Sequence, residues 1–502
     1  MTSSPLFDAI VVGAGFSGIR MLCLLRENGF NVRGIECSQG LGGVWHTNRY
    51  PGARCDSPQP FYQIHDDVLA SEWAFSERFP GHEELWRYFQ YVESKRNVEK
   101  DFDFGVSVVQ ASFNEYLLWS SRLSDRRCLT TRWFIPAVGL ASMPSMPEIK
   151  GIDQFQKELY HTANWPLSGI SCKDKRVAVL GTGPSAARMI SNIASEVKSL
   201  TIYQRTPVVV VSQSADPDGT ASPHISPLTA EGARAAFKRS PTSASGFEYS
   251  LQDPQSLARA KISDPAKADI LVPSKLPYPI LTKRPCFMDY YYESLNRPNV
   301  ELVDVNKEAL VEITTNGIQS GTIHRDFDLF VCATGFEAPS SAILKLNITG
   351  KDGLNLADAW NPHIKSYMGM AVPGFPNMFY LFGPQSATVR INVPTAIECQ
   401  AQWILSILKG LRDSGIKCCE PSQSAARSWV AILNSMWDDS LYSEINGWET
   451  RGVTQKPEPL WVQGIQKYNE HTQQCRAPEF RGFVEVQPMS QLEASARLKL
   501  HM

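Results

Sequence analysis

The stretch DAIVVGAGFSGIRMLCLLRENGFNVRGIE, residues 8–36, decides how the rest of the chain is read. Asp8, Ala9, Ile10, Val11 and Val12 make the short apolar run of a buried strand, which passes straight into Gly13-Ala14-Gly15-Phe16-Ser17-Gly18. Ile19, Leu22 and Leu25 then recur at helical spacing, and a second strand over 32–35 ends on Glu36. Each part suits a bound dinucleotide. Gly13 permits the tight turn, Gly15 lets the backbone approach a pyrophosphate, and Gly18 lets helix and strand pack closely. The helix N-terminus at Phe16 and Ser17 offers unpaired N–H groups to the phosphates. Glu36 accepts from the ribose hydroxyls. The glycine spacing alone is a weak signal; strand, helix and acid in register make it a nucleotide site.

A second unit of the same design follows. Residues 176–180 form a strand that enters Gly181-Thr182-Gly183-Pro184-Ser185-Ala186, with alanine in the third glycine position as the motif allows. The strand over 200–203 ends in Gln204-Arg205-Thr206 instead of an acid. An arginine there suits a 2′-phosphate, so NADPH is expected in preference to NADH. The fold class is therefore α/β, with two Rossmann-like dinucleotide-binding domains. Residues 213–280, rich in Ser, Pro and Ala with weak helical periodicity over 230–237 and 256–262, are read as a small helical insertion.

At 502 residues the chain can form two or three domains, and its net charge of −2 predicts no nucleic-acid partner. The 11 cysteines are scattered and never spaced as C-x-x-C. That pattern points to a reducing compartment with buried thiols, and away from a disulfide scaffold, a zinc site or a dithiol-reducing flavoenzyme. Residues 1–7 lack the basic and apolar runs of a signal peptide, and no apolar stretch is long enough for a transmembrane segment. A cytoplasmic protein, monomeric or weakly dimeric and without a metal, is expected.

After Glu36 the chain enters GGVWHTNRYPGARCD, residues 42–56. So dense a run of Gly, Pro, Arg and aromatic residues reads as a loop lying over a flat cofactor. This block resembles the flavin-binding loop of the Baeyer–Villiger monooxygenases, a branch of the class B flavoprotein monooxygenases. Residues 155–166, FQKELYHTANWP, resemble the family fingerprint F-x-G-x-x-x-H-x-x-x-W-P, with Lys157 in place of the glycine. His161 is read there as a hinge and positioning residue. Thr282-Lys283-Arg284-Pro285, the G-M-x-V-x-G-F-P-N run at 369–377 and the turn Gly383-Pro384-Gln385-Ser386 extend the likeness. On charge alone Lys283-Arg284 would be a solvated turn.

The resemblance implies FAD and NADPH as cofactors, and a ketone and O2 as substrates. It implies that Gly43, Val44, Trp45, Asn48, Arg54, Cys55, Asp56, Tyr62, Val108, Lys283 and Gln385 contact the cofactors. It also implies that Arg284 is the catalytic arginine and that Asp56 orients it. The implied reaction is insertion of one oxygen beside a ketone carbonyl, giving an ester or lactone, with a secondary-metabolite-like ketone as substrate. Val138, where the family usually has Thr, and Leu441, where it commonly has Trp, depart from the pattern along with Lys157. N- or S-oxygenation, hydroxylation, or a redox-silent isomerase, cyclase or binding role remain alternatives. The expected organisation places an FAD domain at 1–150 and 346–502. An NADP domain lies at 151–212 and 281–345, with the insertion at 213–280 between its parts.

Overall fold

The opening stretch folds as its pattern dictates. β1 (Leu6–Val12), α1 (Phe16–Glu27) and β2 (Val32–Glu36) form a βαβ unit in which β1 and β2 are parallel, with Ala9 opposite Val32. This computed structural model describes residues 6–211, 258–279, 282–283, 286–386, 392–444, 457–476 and 479–487. Three helices follow β2: α2 (Val44–Thr47), α3 (Asp67–Glu72) and α4 (His82–Arg96). Then β3 (Phe102–Phe104) pairs beside β2, and β4 (Val108–Phe113), β5 (Trp119–Leu123) and β6 (Cys128–Pro136) form an antiparallel meander. β6 returns parallel to β1, placing the end of one strand beside the glycine turn of the other.

The second sheet begins with β7 (Glu158–His161) and β8 (Arg176–Leu180), which leads into α5 (Pro184–Ile193) and β9 (Ser199–Gln204). Two short strands, β10 (Val210–Val211) and β11 (Cys286–Phe287), pair in parallel beyond it. After β12 (Val300–Asp304), an antiparallel sheet of β13 (Leu310–Ile313), β14 (Gly317–Ser320) and β15 (Ile323–Asp326) precedes β16 (Leu329–Cys332). The main order is β12-β9-β8-β16-β7, all parallel, with buried runs such as Val177, Val179, Leu329 and Val331 as expected of strands covered on both faces.

The chain then returns to the first sheet. β17 (Ile348–Thr349) adds to β4, giving the order β17-β4-β5-β6-β1-β2-β3, and Met378 bridges to Phe134. The long helix Val393–Asp413 packs on α1, with Ile397, Trp403, Ile404 and Ile407 buried at helical spacing. The two helices are clamped by a two-pronged ion pair: Arg20 Nε and Nη2 donate to Glu398 Oε2 and Oε1 at 2.6 and 2.9 Å.

Met378 and Phe379 make only isolated bridges, and Phe382 and Gln385 take positive φ in the turn that follows. The loop at 42–56 contains the one-turn α2. Cys37 and Cys128 are exposed, against the expectation of buried thiols, and the cysteines are free. The helical pattern over 230–237 lies outside the described residues. The insertion's described end is helical at 258–260 and at Pro265–Leu271. Among the described residues no helix is long and apolar enough to cross a membrane.

Burial resists ionisation of Glu398, but its bonds to Arg20 outweigh that and hold the carboxyl pKa below its usual value. A depressed carboxyl contributes stability above its unfolded pKa of about 4.3 that is lost as pH falls through the folded value. Arg20→Met strands a half-buried carboxylate and should cost about 2–3 kcal/mol at pH 7, less than a fully buried pair would. Glu398 then protonates more readily folded than unfolded, so the deficit relative to wild type should shrink as pH falls toward 4. Urea unfolding of both proteins across about pH 4–8 reads this directly; a deficit independent of pH would show that the pair is not the cause.

Candidate active site

The two glycine turns are built alike. Gly13 has φ +112°, and a Cβ there would sit 2.5 Å from the Ala137 carbonyl oxygen; Gly181 has φ +106°, with the Ala333 carbonyl oxygen also at 2.5 Å. The third position separates them. A Cβ on Gly18 would lie 1.7 Å from the Gly13 oxygen, whereas Ala186 is accommodated and fully buried. Both following helices, α1 and α5, start from a glycine with no side-chain cap and no acid in the first turn. Elsewhere Asp66, Asp264, Asn355, Asn392 and Ser422 cap their helices with side-chain oxygens. Uncapped N-termini after glycine turns are ready for phosphate.

A cavity of about 1840 Å³ opens above the first turn. It is well beyond the roughly 300–1,000 Å³ of a drug-sized pocket, leaving room for an extended dinucleotide and a second molecule. It gathers Gly13, Gly15, Phe16, Ser17, Glu36, Gly43, Val44, Trp45, Asn48, Arg54, Cys55, Asp56, Tyr62, Val108 and Pro184 from five segments of sequence. Gly18 stays beneath the floor; Gly181, Thr182, Gly183, Ser185, Ala186, Arg205, Thr206, Lys283 and Gln385 lie outside the lining.

The lining fits a flavin dinucleotide. Gly15 and Gly43 face each other, and a Cβ on Gly43 would stand 2.9 Å from the Gly15 Cα. Glu36 Oε2 accepts from Ala14 N at 2.6 Å and keeps a second acceptor direction, while Oε1 is taken by Ser38 N at 2.7 Å and by the Ser38 hydroxyl. Asn48 Oδ1 is buried with no hydrogen-bond partner. Trp45 Nε1 donates to the Tyr62 hydroxyl at 3.0 Å, fixing two rings in the wall. Arg54 instead bonds Glu77 and the Phe79 carbonyl, and Cys55 Sγ bonds Ser57, so both act on the shape of the loop. The Gln385 side chain is turned into the protein, bonded to Ser366 and to the Ile364 carbonyl; Gly383 and Pro384 are what its turn presents to the cavity. The start of the long helix, Asn392 and Val393, lies beside them and brings its positive dipole end.

Sequence reading missed several lining residues. Cys37, Ser38, Lys345, Leu460 and 462–467 belong to it. Cys37 and Ser38 follow the strand-ending acid and could have been taken from the motif; the others carry no local signal.

The second unit docks on the first through one face of α5. The Tyr50 hydroxyl lies near Ser185. Gly52, at φ +76°, lies so close that a Cβ would meet Asn192 and the Arg188 carbonyl. Arg188 is buried and donates to the Phe287 carbonyl; burial lowers its pKa, with Cys286 and Asp56 acting against the shift. His161 is buried at the end of β7, its Nδ1 accepting from Ala163 N at 3.0 Å, and burial lowers its pKa. Ala163 and Asn164, just after it, line the cavity. Lys157 is exposed on the surface. Arg284 lies outside the described residues, but Thr282 and Phe287 on either side of it line the cavity.

Residues 11–67 match the family model of an NAD(P)-binding Rossmann-like domain. Over the whole chain, an FAD-binding monooxygenase of Epichloe uncinata, lolF2, is 33% identical, covering 95% of this chain and 97% of its own. The cyclopentanone 1,2-monooxygenase of Comamonas sp. (strain NCIMB 9872) is 32% identical over 88% of each. The chain belongs to the Baeyer–Villiger monooxygenase family. The solved structure of OTEMO in complex with FAD and NADP superposes with a TM-score of 0.85 at 29% identity, covering 96% of this chain and 100% of the other. As a Baeyer–Villiger monooxygenase the chain is an FAD- and NADPH-dependent enzyme.

Two substitutions probe these sites. Gly43→Ala places a Cβ against Gly15 at φ +56°, and should weaken FAD binding at least about tenfold; flavin absorbance per chain of the purified protein measures it. Arg205, exposed at the end of β9, should matter only to the phosphorylated cofactor. Arg205→Ala should raise KM for NADPH about tenfold or more and leave NADH nearly unaffected. Equal losses with both cofactors would make Arg205 structural.

Proposed function

We propose that this chain carries out Baeyer–Villiger oxidation of a bulky ketone. One atom of O2 enters between the carbonyl carbon and its more substituted neighbour, giving an ester or lactone. The other leaves as water, while NADPH and a proton are consumed and NADP⁺ is released. The observation that carries this reading is one cavity bordered by both nucleotide units. Gly15, Asp56 and Gly383 line it from the first, and Pro184, Thr282 and Phe287 from the second. We assign FAD to residues 1–150 and 346–502, and NADPH to 151–212 and 281–345, with 213–280 as the insertion. A cytoplasmic enzyme, monomeric or weakly dimeric, goes with this reading.

Bound FAD, once reduced by NADPH, supplies the activated oxygen. The protein's task is electrostatic and steric. Arg284 provides a fixed positive charge beside the reacting oxygen and offsets the charge that develops on the ketone oxygen. Asp56, on the facing loop, orients that guanidinium and moderates its charge. Lys283 and Arg205 hold the anionic nicotinamide cofactor. The dipole at the start of the long helix favours negative charge on the reduced ring. Phe382, Val393, Ile397, Leu460 and Val462 give the cavity an apolar wall that suits a large hydrocarbon skeleton and excludes water. The relatives named as FAD-binding monooxygenases from Epichloe and Byssochlamys support a secondary-metabolite ketone.

Product analysis against a ketone panel tests the reading, with ester or lactone expected in place of sulfoxide or amine oxide. Arg284→Lys should retain FAD, because a lysine keeps the charge but loses the planar fork. Ester formation should fall about a hundredfold or more while NADPH oxidation falls much less, the difference appearing as hydrogen peroxide. Wild-type ester yield from this variant would remove Arg284 from the mechanism, and loss of FAD would make it structural.

A further inference from the structure

Three consecutive carbonyls after β9 are each taken by a different side chain. Asn306 Nδ2 donates to the Arg205 carbonyl at 2.7 Å, Thr182 Oγ1 to the Thr206 carbonyl at 3.0 Å, and the Tyr278 hydroxyl to the Pro207 carbonyl at 2.9 Å. Backbone in an ordinary surface loop satisfies such groups with water. Here the segment that carries Arg205 is pinned from the strand end, the glycine turn and the chain before Lys283. Tyr278 does more than the other two. Its ring is buried, and Lys283 Nζ stands over its face, 4.8 Å from the centroid. That is well inside the range of a cation–π contact, and the half-buried site strengthens it relative to open solvent. Thr282 closes the turn before Lys283, its N and Oγ1 donating to the Pro279 carbonyl at 3.2 and 2.6 Å, which folds the lysine back on the tyrosine. One aromatic side chain thus holds the backbone beside Arg205 by its hydroxyl and the lysine by its ring.

We propose that Tyr278 is a positioning residue for NADPH, joining the Arg205 segment and Lys283 into one preorganised receptor for the 2′-phosphate. This rests on the reading of Arg205 and Lys283 as NADPH ligands. Two long cationic side chains would otherwise lose much rotamer freedom on binding; a side chain already seated on a ring loses less. The benefit goes to the doubly charged phosphate alone, so Tyr278 acts on discrimination between NADPH and NADH without touching either.

The test uses the full-length FAD-loaded enzyme, with dissociation constants for NADP⁺ and NAD⁺ measured by titration calorimetry. Tyr278→Leu should weaken NADP⁺ about fivefold to thirtyfold and NAD⁺ less than about twofold. Tyr278→Phe, which keeps the ring, should lose less. In the Lys283→Gln background the Tyr278→Leu change should cost less than it does alone, because the ring's share of its effect runs through the lysine and only the hydroxyl's share remains. Should the leucine variant fail to fold, phenylalanine and trifluorophenylalanine at 278 give the same answer. Fluorination weakens the ring's negative face at nearly constant size, so NADP⁺ but not NAD⁺ affinity should drop. A folded leucine variant with the wild-type NADP⁺/NAD⁺ ratio, equal weakening of both, or no effect of fluorination overturns the role of Tyr278. Arg205→Ala and Lys283→Gln serve as controls. If neither lowers the ratio, the underlying site assignment fails; if they lower it and the Tyr278 variants do not, only the positioning role fails.

Discussion

A Cβ atom on Gly18 would lie 1.7 Å from the Gly13 carbonyl oxygen, so α1 can take its place over β1 only because that atom is missing. Much of the molecule follows from this approach. With α1 so close, its N-terminus faces the cavity, and Arg20 meets Glu398 on the long helix from the far end of the chain. That pair fixes the long helix against α1, with Asn392 and Val393 at its start in the cavity wall. The second unit lacks the same tightness, with Ala186 in the third position, and its helix N-terminus is outside the large cavity apart from Pro184. On the proposed assignment of FAD to the first unit and NADPH to the second, the tighter turn would serve the bound prosthetic group and the looser one the exchanging cosubstrate.

Charge is distributed to match. The helices after the two glycine turns carry neither a capping side chain nor an acid in the first turn, while several others, the long helix among them, are capped by Asp, Asn or Ser. An intramolecular cap at Gly15 or Gly183 would satisfy the N–H groups that a pyrophosphate needs. The interface between the units includes polar contacts. Tyr50 meets Ser185, and buried Arg188 lies in the field of Asp56. Such contacts fix orientation while allowing the units to separate more easily than a hydrophobic seam would. Asp56 stands at this seam, so the residue assigned to orient the catalytic arginine also senses the second unit.

The sequence by itself determined the two βαβ units, because glycine turns, apolar strands and the ending residues Glu36 and Arg205 act within about 30 residues of each other. Local sterics enforce them: positive φ at Gly13 and Gly181 is read directly from residue type. The loop at 42–56 was legible too, and most of its assigned residues line the cavity. Only the tertiary structure decided which residues share that cavity. Lys345, Leu460 and 462–467 enter it from chain more than 300 residues beyond Gly15, and no periodicity marks them. Nor could sequence show that the Gln385 side chain turns inward to Ser366, or that Arg54 answers Glu77. A side chain's direction depends on the partners that packing brings within hydrogen-bond reach, and those partners are distant in sequence. Tyr278 is the clearest case: its hydroxyl finds Pro207 across 71 residues while its ring receives Lys283, a meeting that only the folded backbone can arrange.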